Sequence, residues 1–256
     1  MNYYLDKFDL SGRVALVTGA SEGIGRDLSL GLASAGADVI LASRREAQLN
    51  EVKVEIENLG QRAEIFVLDI CQIEDIQALK NFIQDRFGRL DVLVNAAGYT
   101  VNKAAWDITG EDWDKTVNIS FKGLFFCCQI LGPIMRDQNY GKIINLSSTF
   151  SRSTIDTRSV YAGVKAGVSH LTEALAVEWA PHGIRVNALA PTGVQTPSRS
   201  EVLSGDNLKV ILSRIPLGRL AEPDDLITAA IYLASEASDF VTGHSLFVDG
   251  GWVAKG

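Results

Sequence analysis

Polar and apolar positions along this 256-residue chain fall into two alternating rhythms. Short, nearly continuous apolar runs at 14–18, 38–42, 63–68, 91–94, 142–146, 185–188 and 245–248 read as strands buried on both faces. Between them, longer stretches carry apolar residues at helical spacing: from the glycine turn at 19–25 to about 35, then 46–59, 73–87, 112–136, 159–180, 199–213 and 223–233. Gly36, Gly60, Gly88 and Pro181 stop four of these stretches, as glycine and proline do at helix ends. Strands alternating with helices of this length predict right-handed crossovers and an α/β fold: a seven-stranded parallel sheet with helices on both faces. In such sheets a ligand lies beyond the carboxyl ends of the strands, where the strand order reverses.

Composition narrows the class. With 46% hydrophobic and 21% charged residues the chain can bury a sizeable core, and its length fits a single domain over 1–256. The net charge of −7, with no Lys/Arg-rich run, argues against a nucleic-acid or anionic-membrane surface. No apolar run approaches the roughly 18 residues of a membrane span. The N-terminal MNYYLDKFDL lacks the basic flank and apolar core of a signal peptide. Cys71, Cys127 and Cys128 are odd in number and unspaced, which predicts neither a disulfide framework nor a metal site and fits a reducing cytoplasm. His170, His182 and His244 share no metal-ligand spacing.

The chemistry concentrates in 148–165. Tyr161 and Lys165 lie four residues apart, on one face of a helix. A free phenol, with a pKa of about 10, is a poor acid or base near neutrality, and a cation held beside it favours the phenolate. Ser148, thirteen residues before Tyr161, can donate and accept a hydrogen bond and so hold a carbonyl or hydroxyl against the phenol. The same Tyr-x-x-x-Lys spacing occurs at Tyr3/Lys7 and Tyr99/Lys103, without the serine, so the spacing alone decides nothing.

Context decides it. The turn Thr18-Gly-Ala-Ser-Glu-Gly-Ile-Gly25 follows the first strand and opens a helix. Read by itself it is either a tight turn or a phosphate cradle, because glycines admit close approach and a helix N-terminus offers unpaired N–H groups. The second strand ends Leu41-Ala-Ser-Arg-Arg45, with arginines where a carboxylate would select a free ribose 2′-hydroxyl. Arginine suits a 2′-phosphate because its planar fork donates two hydrogen bonds at once.

Together with Asp69, Asn95-Ala-Ala-Gly98, Asn118, Asn187-Ala-Leu-Ala-Pro191 and Val248-Asp-Gly-Gly251, these motifs resemble the short-subunit branch of the short-chain dehydrogenase/reductase family over essentially the whole chain. Gluconate-type sugar-acid dehydrogenases and 3-oxoacyl reductases are the similar members. The resemblance implies a Rossmann-type fold, hydride exchange between NADP(H), in preference to NAD(H), and a carbonyl or secondary alcohol, and assembly as a homotetramer or homodimer. It implies Asn118, Ser148, Tyr161 and Lys165 as catalytic residues, with Asn118 holding a water that links the lysine to solvent. It implies a cofactor-binding set of Gly19, Ser21, Gly23, Ile24, Gly25, Ser43, Arg44, Arg45, Asp69, Ile70, Asn95, Gly98, Tyr161, Lys165, Pro191, Val194 and Thr196. Three positions depart from the family pattern: Glu22 stands where many NADP-preferring relatives are basic, Ala96 replaces an asparagine and Thr192 a glycine.

The substrate pocket is expected from the loops after strands four, five and six and from the loop at about 191–215. These loops supply Tyr99, Asn102, Lys103, Trp106, Phe150, Arg152, Arg158, Gln195 and Arg199, with Phe150, Arg152, Arg158 and Gln195 as the substrate candidates. Several cations there suit a small carboxylate or polyhydroxylated substrate. A 3-oxoacyl thioester and a non-catalytic dinucleotide-binding role are the alternatives.

Overall fold

The computed structural model describes residues 4–195 and 205–255. Seven parallel strands form one sheet in the order β3-β2-β1-β4-β5-β6-β7: β1 Val14–Thr18, β2 Asp38–Ser43, β3 Ala63–Val67, β4 Val92–Asn95, β5 Gly141–Leu146, β6 Ile184–Pro191 and β7 Ser245–Val248. The helices are α1 Gly23–Ser34, α2 Glu46–Asn58, α3 Ile73–Arg86, α4 Gly110–Val117, α5 Gly123–Gln138, α6 Ser159–Trp179, α7 Gly205–Arg214, α8 Pro223–Ala234 and α9 Trp252–Lys255. The predicted 199–213 helix is thus seen from Gly205, its earlier residues lying outside the described ones.

Successive strand side chains point to opposite faces. Ala15 and Val17 of β1, with Val39 and Leu41 of β2, pack in one core with Leu28 and Leu32 of α1, Leu49 of α2 and Leu226 of α8. Val14, Leu16, Ile40 and Ala42 pack in the other, with Leu79 of α3, Leu124 and Leu131 of α5 and Val168 of α6. Burial on both faces is why β1 reads as an uninterrupted apolar run. Strand order reverses between β1, which pairs with β2 on one side, and β4 on the other, and this opens a crevice at their carboxyl ends.

Two predicted elements differ in form. β6 runs three residues past its predicted end, because β7 pairs with it from Ala188 to Pro191. The predicted helix 112–136 runs from Gly110 to Gln138 and is not uniform: Asn118–Lys122 is a π-helical turn, in which the Gly123 N–H donates to the Asn118 carbonyl five residues back. A Cβ on Gly123 would stand 2.8 Å from the Ile70 carbonyl, so only glycine lets the wound-out turn press against the loop after β3. By length and composition this helix could cross a membrane. Its Leu124, Cys127, Cys128 and Leu131, however, lie in the core against the sheet.

At the amino ends of the strands, buried Asp91 accepts from the Val14 N–H at 2.9 Å and from both edge nitrogens of Arg89 at 2.8 and 2.6 Å. Lys142 of β5, fully buried, reaches Asp239 at 2.8 Å and Ser238 at 3.2 Å. Charges therefore hold the end of the sheet opposite the crevice.

Candidate active site

A cavity of about 450 Å³ fills the crevice. Its wall gathers the glycine turn (Gly19, Ser21, Glu22, Gly23, Ile24, Gly25), the end of β2 (Ser43, Arg44, Arg45), Asp69 and Ile70 after β3, Gly98 to Thr100 after β4, and Tyr161 and Lys165 of α6. Ile119, from the π-helical turn, completes it.

The glycine turn is built by collisions that only glycine escapes. Gly19 has φ +72°, and a Cβ there would stand 2.8 Å from the Ala97 backbone. At Gly25 a Cβ would run into the Gly19 carbonyl. The turn thus folds tightly enough to leave the N-terminus of α1 facing the cavity, where free N–H groups and the helix dipole favour an anion. This shape fits the pyrophosphate of a dinucleotide, and the absence of a carboxylate at the end of β2 fits a phosphorylated ribose.

Asp69 accepts from the Cys71 N–H at 3.0 Å, which holds the loop after β3 against the cavity; the N-cap of α3 is Gln72, not Asp69. Asn95 is turned the other way. Its amide donates to Asn145 at 2.9 Å and to the Cys128 sulfur at 3.2 Å inside the sheet, so it does not line the cavity. Asn95 thus ties β4 to β5 beneath the site through its side chain. Pro191 and Val194 are also buried away from the wall. Val194 bridges to Ala221 in parallel, with Gln195 N–H donating to the Ala221 carbonyl and Ala221 N–H to Gly193. In that pattern the neighbours make the bonds, which turns Val194's own N–H and carbonyl to the opposite side. Thr196 lies outside the described residues.

On the catalytic side, the Lys165 ammonium lies 5.6 Å from the Tyr161 ring centre and donates to the Leu146 carbonyl at the end of β5. Ser148 Oγ accepts from the Phe150 N–H at 3.2 Å, which leaves its own O–H to donate elsewhere. The sequence reading missed Ser147. Its hydroxyl donates to the Lys165 carbonyl at 3.2 Å and shares a 2.8 Å bond with Ser169, so one buried serine clamps α6 onto β5. It missed Ser120 too, which receives the Tyr99 N–H at 2.8 Å and donates to the Tyr99 carbonyl at 3.0 Å, tying the loop after β4 to the π-helical turn. Ser120 had one signal, a polar residue between Ile119 and Phe121, whereas Ser147 is one of a serine-threonine run and had none. Asn118 opens that turn and does not itself reach the cavity wall.

The substrate candidates divide. Phe150 meets the Tyr161 ring edge-on at 6.2 Å, and Arg158 donates to Thr100, on the cavity rim, at 3.2 Å. The other two do not converge there: Arg152 lies over the Phe247 ring of β7 at 5.1 Å, and Gln195 is exposed. Lys103 pairs with Asp112 at 2.6 Å. Unforeseen is Trp252, buried beside Phe150 with ring centres 6.1 Å apart and its indole N–H on Ser153 at 2.8 Å. Asp249 places it by accepting from the Gly251 and Val253 N–H groups, both at 2.9 Å.

A family model described as "Enoyl-(Acyl carrier protein) reductase" matches residues 19–253. The chain is 38% identical over 254 residues to the 2-dehydro-3-deoxy-D-gluconate 5-dehydrogenase of Escherichia coli (strain K12), covering 98% of this chain and 99% of that one. It is 37% identical to the 3-oxoacyl-[acyl-carrier-protein] reductase of Thermotoga maritima, over 95% of this chain and 99% of the relative. Its fold matches that of a gluconate 5-dehydrogenase from Burkholderia cenocepacia J2315, crystallised with NADP and tartrate, with a TM-score of 0.94, 35% identity and 98% of each chain covered. The chain belongs to the short-chain dehydrogenase/reductase family.

Proposed function

We propose that this protein is an NADP(H)-dependent oxidoreductase that interconverts a secondary alcohol and a carbonyl on a sugar acid or polyol. One observation carries the reading: Tyr161 and Lys165 open into the same cavity as the glycine turn and Arg44. Bound there, the nicotinamide dinucleotide supplies or accepts the hydride. Tyr161 gives a proton to the substrate oxygen, or takes it, with the Lys165 ammonium 5.6 Å from its ring centre. Ser148, whose oxygen already accepts from Phe150, directs its O–H at that substrate oxygen and polarises it. Asn118, at the head of the π-helical turn, has the place of a residue that holds a water between lysine and solvent.

The sugar-acid preference draws on the names of the relatives, a 2-dehydro-3-deoxy-D-gluconate 5-dehydrogenase and a gluconate 5-dehydrogenase holding tartrate. A second reading, reduction of a 3-oxoacyl thioester, is favoured by the Thermotoga relative and the family description. NADPH oxidation against a panel of keto sugar acids, ketoses and 3-oxoacyl thioesters separates them. Turnover of a keto acid at least about 10²-fold above the thioester supports the first, the reverse order the second, and no turnover of any overturns both.

The finer expectations remain part of this reading. The three unpaired thiols suit a reducing cytoplasm. An apolar groove lined by Trp113, Val117, Phe121, Val160, Val164 and Gly167 suits assembly of copies as a homodimer or homotetramer. Light scattering measures the latter.

A further inference from the structure

The wall of the cavity at the end of β2 holds two arginines, and they are not in the same state. Arg45 turns its Nε/Nη2 edge toward the glycine turn. Both nitrogens donate to Ser21 Oγ, at 3.2 and 2.9 Å, and Nη2 also meets the Glu22 carboxylate at 2.7 Å. The hydrogen bond that Arg45 donates to Glu22 raises the pKa of Arg45. Its backbone is fixed as well, since the Arg45 N–H donates to Ser43 Oγ at 3.2 Å. Arg44, equally exposed, forms no ion pair with another described residue.

That Nε/Nη2 edge is the one that grips a phosphate with two parallel bonds. In Arg45 both nitrogens of that edge are taken by Ser21 Oγ, and Nη2 is shared with the Glu22 carboxylate. A 2′-phosphate arriving beside it meets like charge from Glu22 and competes with Glu22 for Nη2, while the neutral Ser21 hydroxyl is the weaker rival for the rest of the fork. A 2′-hydroxyl meets no such cost, and the same carboxylate is a ready acceptor for it.

We propose that Glu22 is a latch on Arg45 that withholds its guanidinium from the 2′-phosphate, leaving Arg44 as the first phosphate ligand and narrowing the preference for NADP(H) over NAD(H). The proposal rests on reading the cavity as a dinucleotide site. An exposed ion pair is worth under about 1 kcal/mol, so the effect is a few-fold in affinity and not a switch from one cofactor to the other.

The test uses calorimetric titration of the intact protein with adenosine 2′,5′-bisphosphate and with 5′-AMP, which differ only in the 2′-phosphate and require no turnover. Glu22→Gln is expected to tighten the bisphosphate roughly fivefold and to leave 5′-AMP within about twofold. In an Arg45→Ala background the same substitution is expected to give less than half that gain, because no fork remains to be freed. No gain from Glu22→Gln, or an equal gain with and without Arg45, overturns the latch; the equal gain leaves only simple repulsion between Glu22 and the phosphate. If wild type binds neither nucleotide, the dinucleotide reading of the cavity fails and the latch fails with it, whereas normal 5′-AMP binding without the expected gain sinks the latch alone. Glu22→Ser, read the same way, replaces the glutamine variant if that one does not fold.

Discussion

Trp252 and Phe150 meet nearly edge to face, their ring centres 6.1 Å apart, and Phe150 in turn stands edge-on to Tyr161 at 6.2 Å. The C-terminal helix thus props, through one ring, the residue beside the reacting phenol. Trp252→Ala removes the prop and is expected to lower kcat/KM about tenfold while nucleotide affinity stays within about twofold. Trp252→Phe keeps the ring, loses only the bond to Ser153, and should cost about 1 kcal/mol of stability with little change in rate. Steady-state kinetics beside nucleotide titration read both.

Tyr161→Phe removes the only atom of that side chain that carries a transferable proton. Turnover should fall by about 10²–10⁴ or more, with NADPH affinity within a few-fold of wild type. Retained turnover in this variant would remove Tyr161 from the mechanism.

Gly25→Ala drives a methyl group into the Gly19 carbonyl. The turn has to open, at a cost of about 1–3 kcal/mol, and the helix N-terminus moves off the anion site. NADPH and 5′-AMP are both expected to bind at least about tenfold more weakly, by fluorescence and calorimetric titration. Gly110→Ala, in the first turn of α4 with open space around it and no positive φ, should leave binding unchanged and serves as the control.

The buried Lys142–Asp239 pair is asymmetric, because Lys142 is fully buried and Asp239 is 46% exposed. Burial lowers the Lys142 pKa against the pull of its partner. Asp239→Ala strands a buried ammonium on Ser238 and should destabilise the protein by about 2 kcal/mol in urea unfolding. Lys142→Met leaves a carboxylate that water still reaches, and it should be near neutral.

Arg219 holds both oxygens of Asp225 at 2.6 and 2.9 Å, and the Glu222 N–H adds a third bond at the start of α8. These bonds depress the Asp225 pKa to about 2 from its usual 3.8. A carboxylate depressed on folding adds stability that is fully present above about pH 4 and is lost as pH falls toward 2. The melting temperature should therefore drop over that window, and Asp225→Asn should flatten this part of the profile in calorimetric scans.

The sequence by itself determined the layout of the sheet and the chemistry of the site. Strands buried on both faces write continuous apolar runs, and this made all seven legible. The glycine turn after β1 and the tyrosine and lysine one helical turn apart mark the site only in combination, since the turn alone is ambiguous and the Tyr-x-x-x-Lys spacing recurs by chance. What only the tertiary structure decided depends on pairs far apart in the chain. Asn118–Lys122 read as ordinary helix, because its π-turn depends on Gly123 meeting Ile70. The bond from the Asn95 amide to Asn145 of the neighbouring strand had no sign in the sequence. Arg45 read as a phosphate ligand, yet Glu22 reaches it from another loop. Trp252 carried no sign of lying beneath Phe150. A side chain's type and spacing are local facts, whereas the partner that takes its hydrogen bonds is chosen only when distant segments pack together.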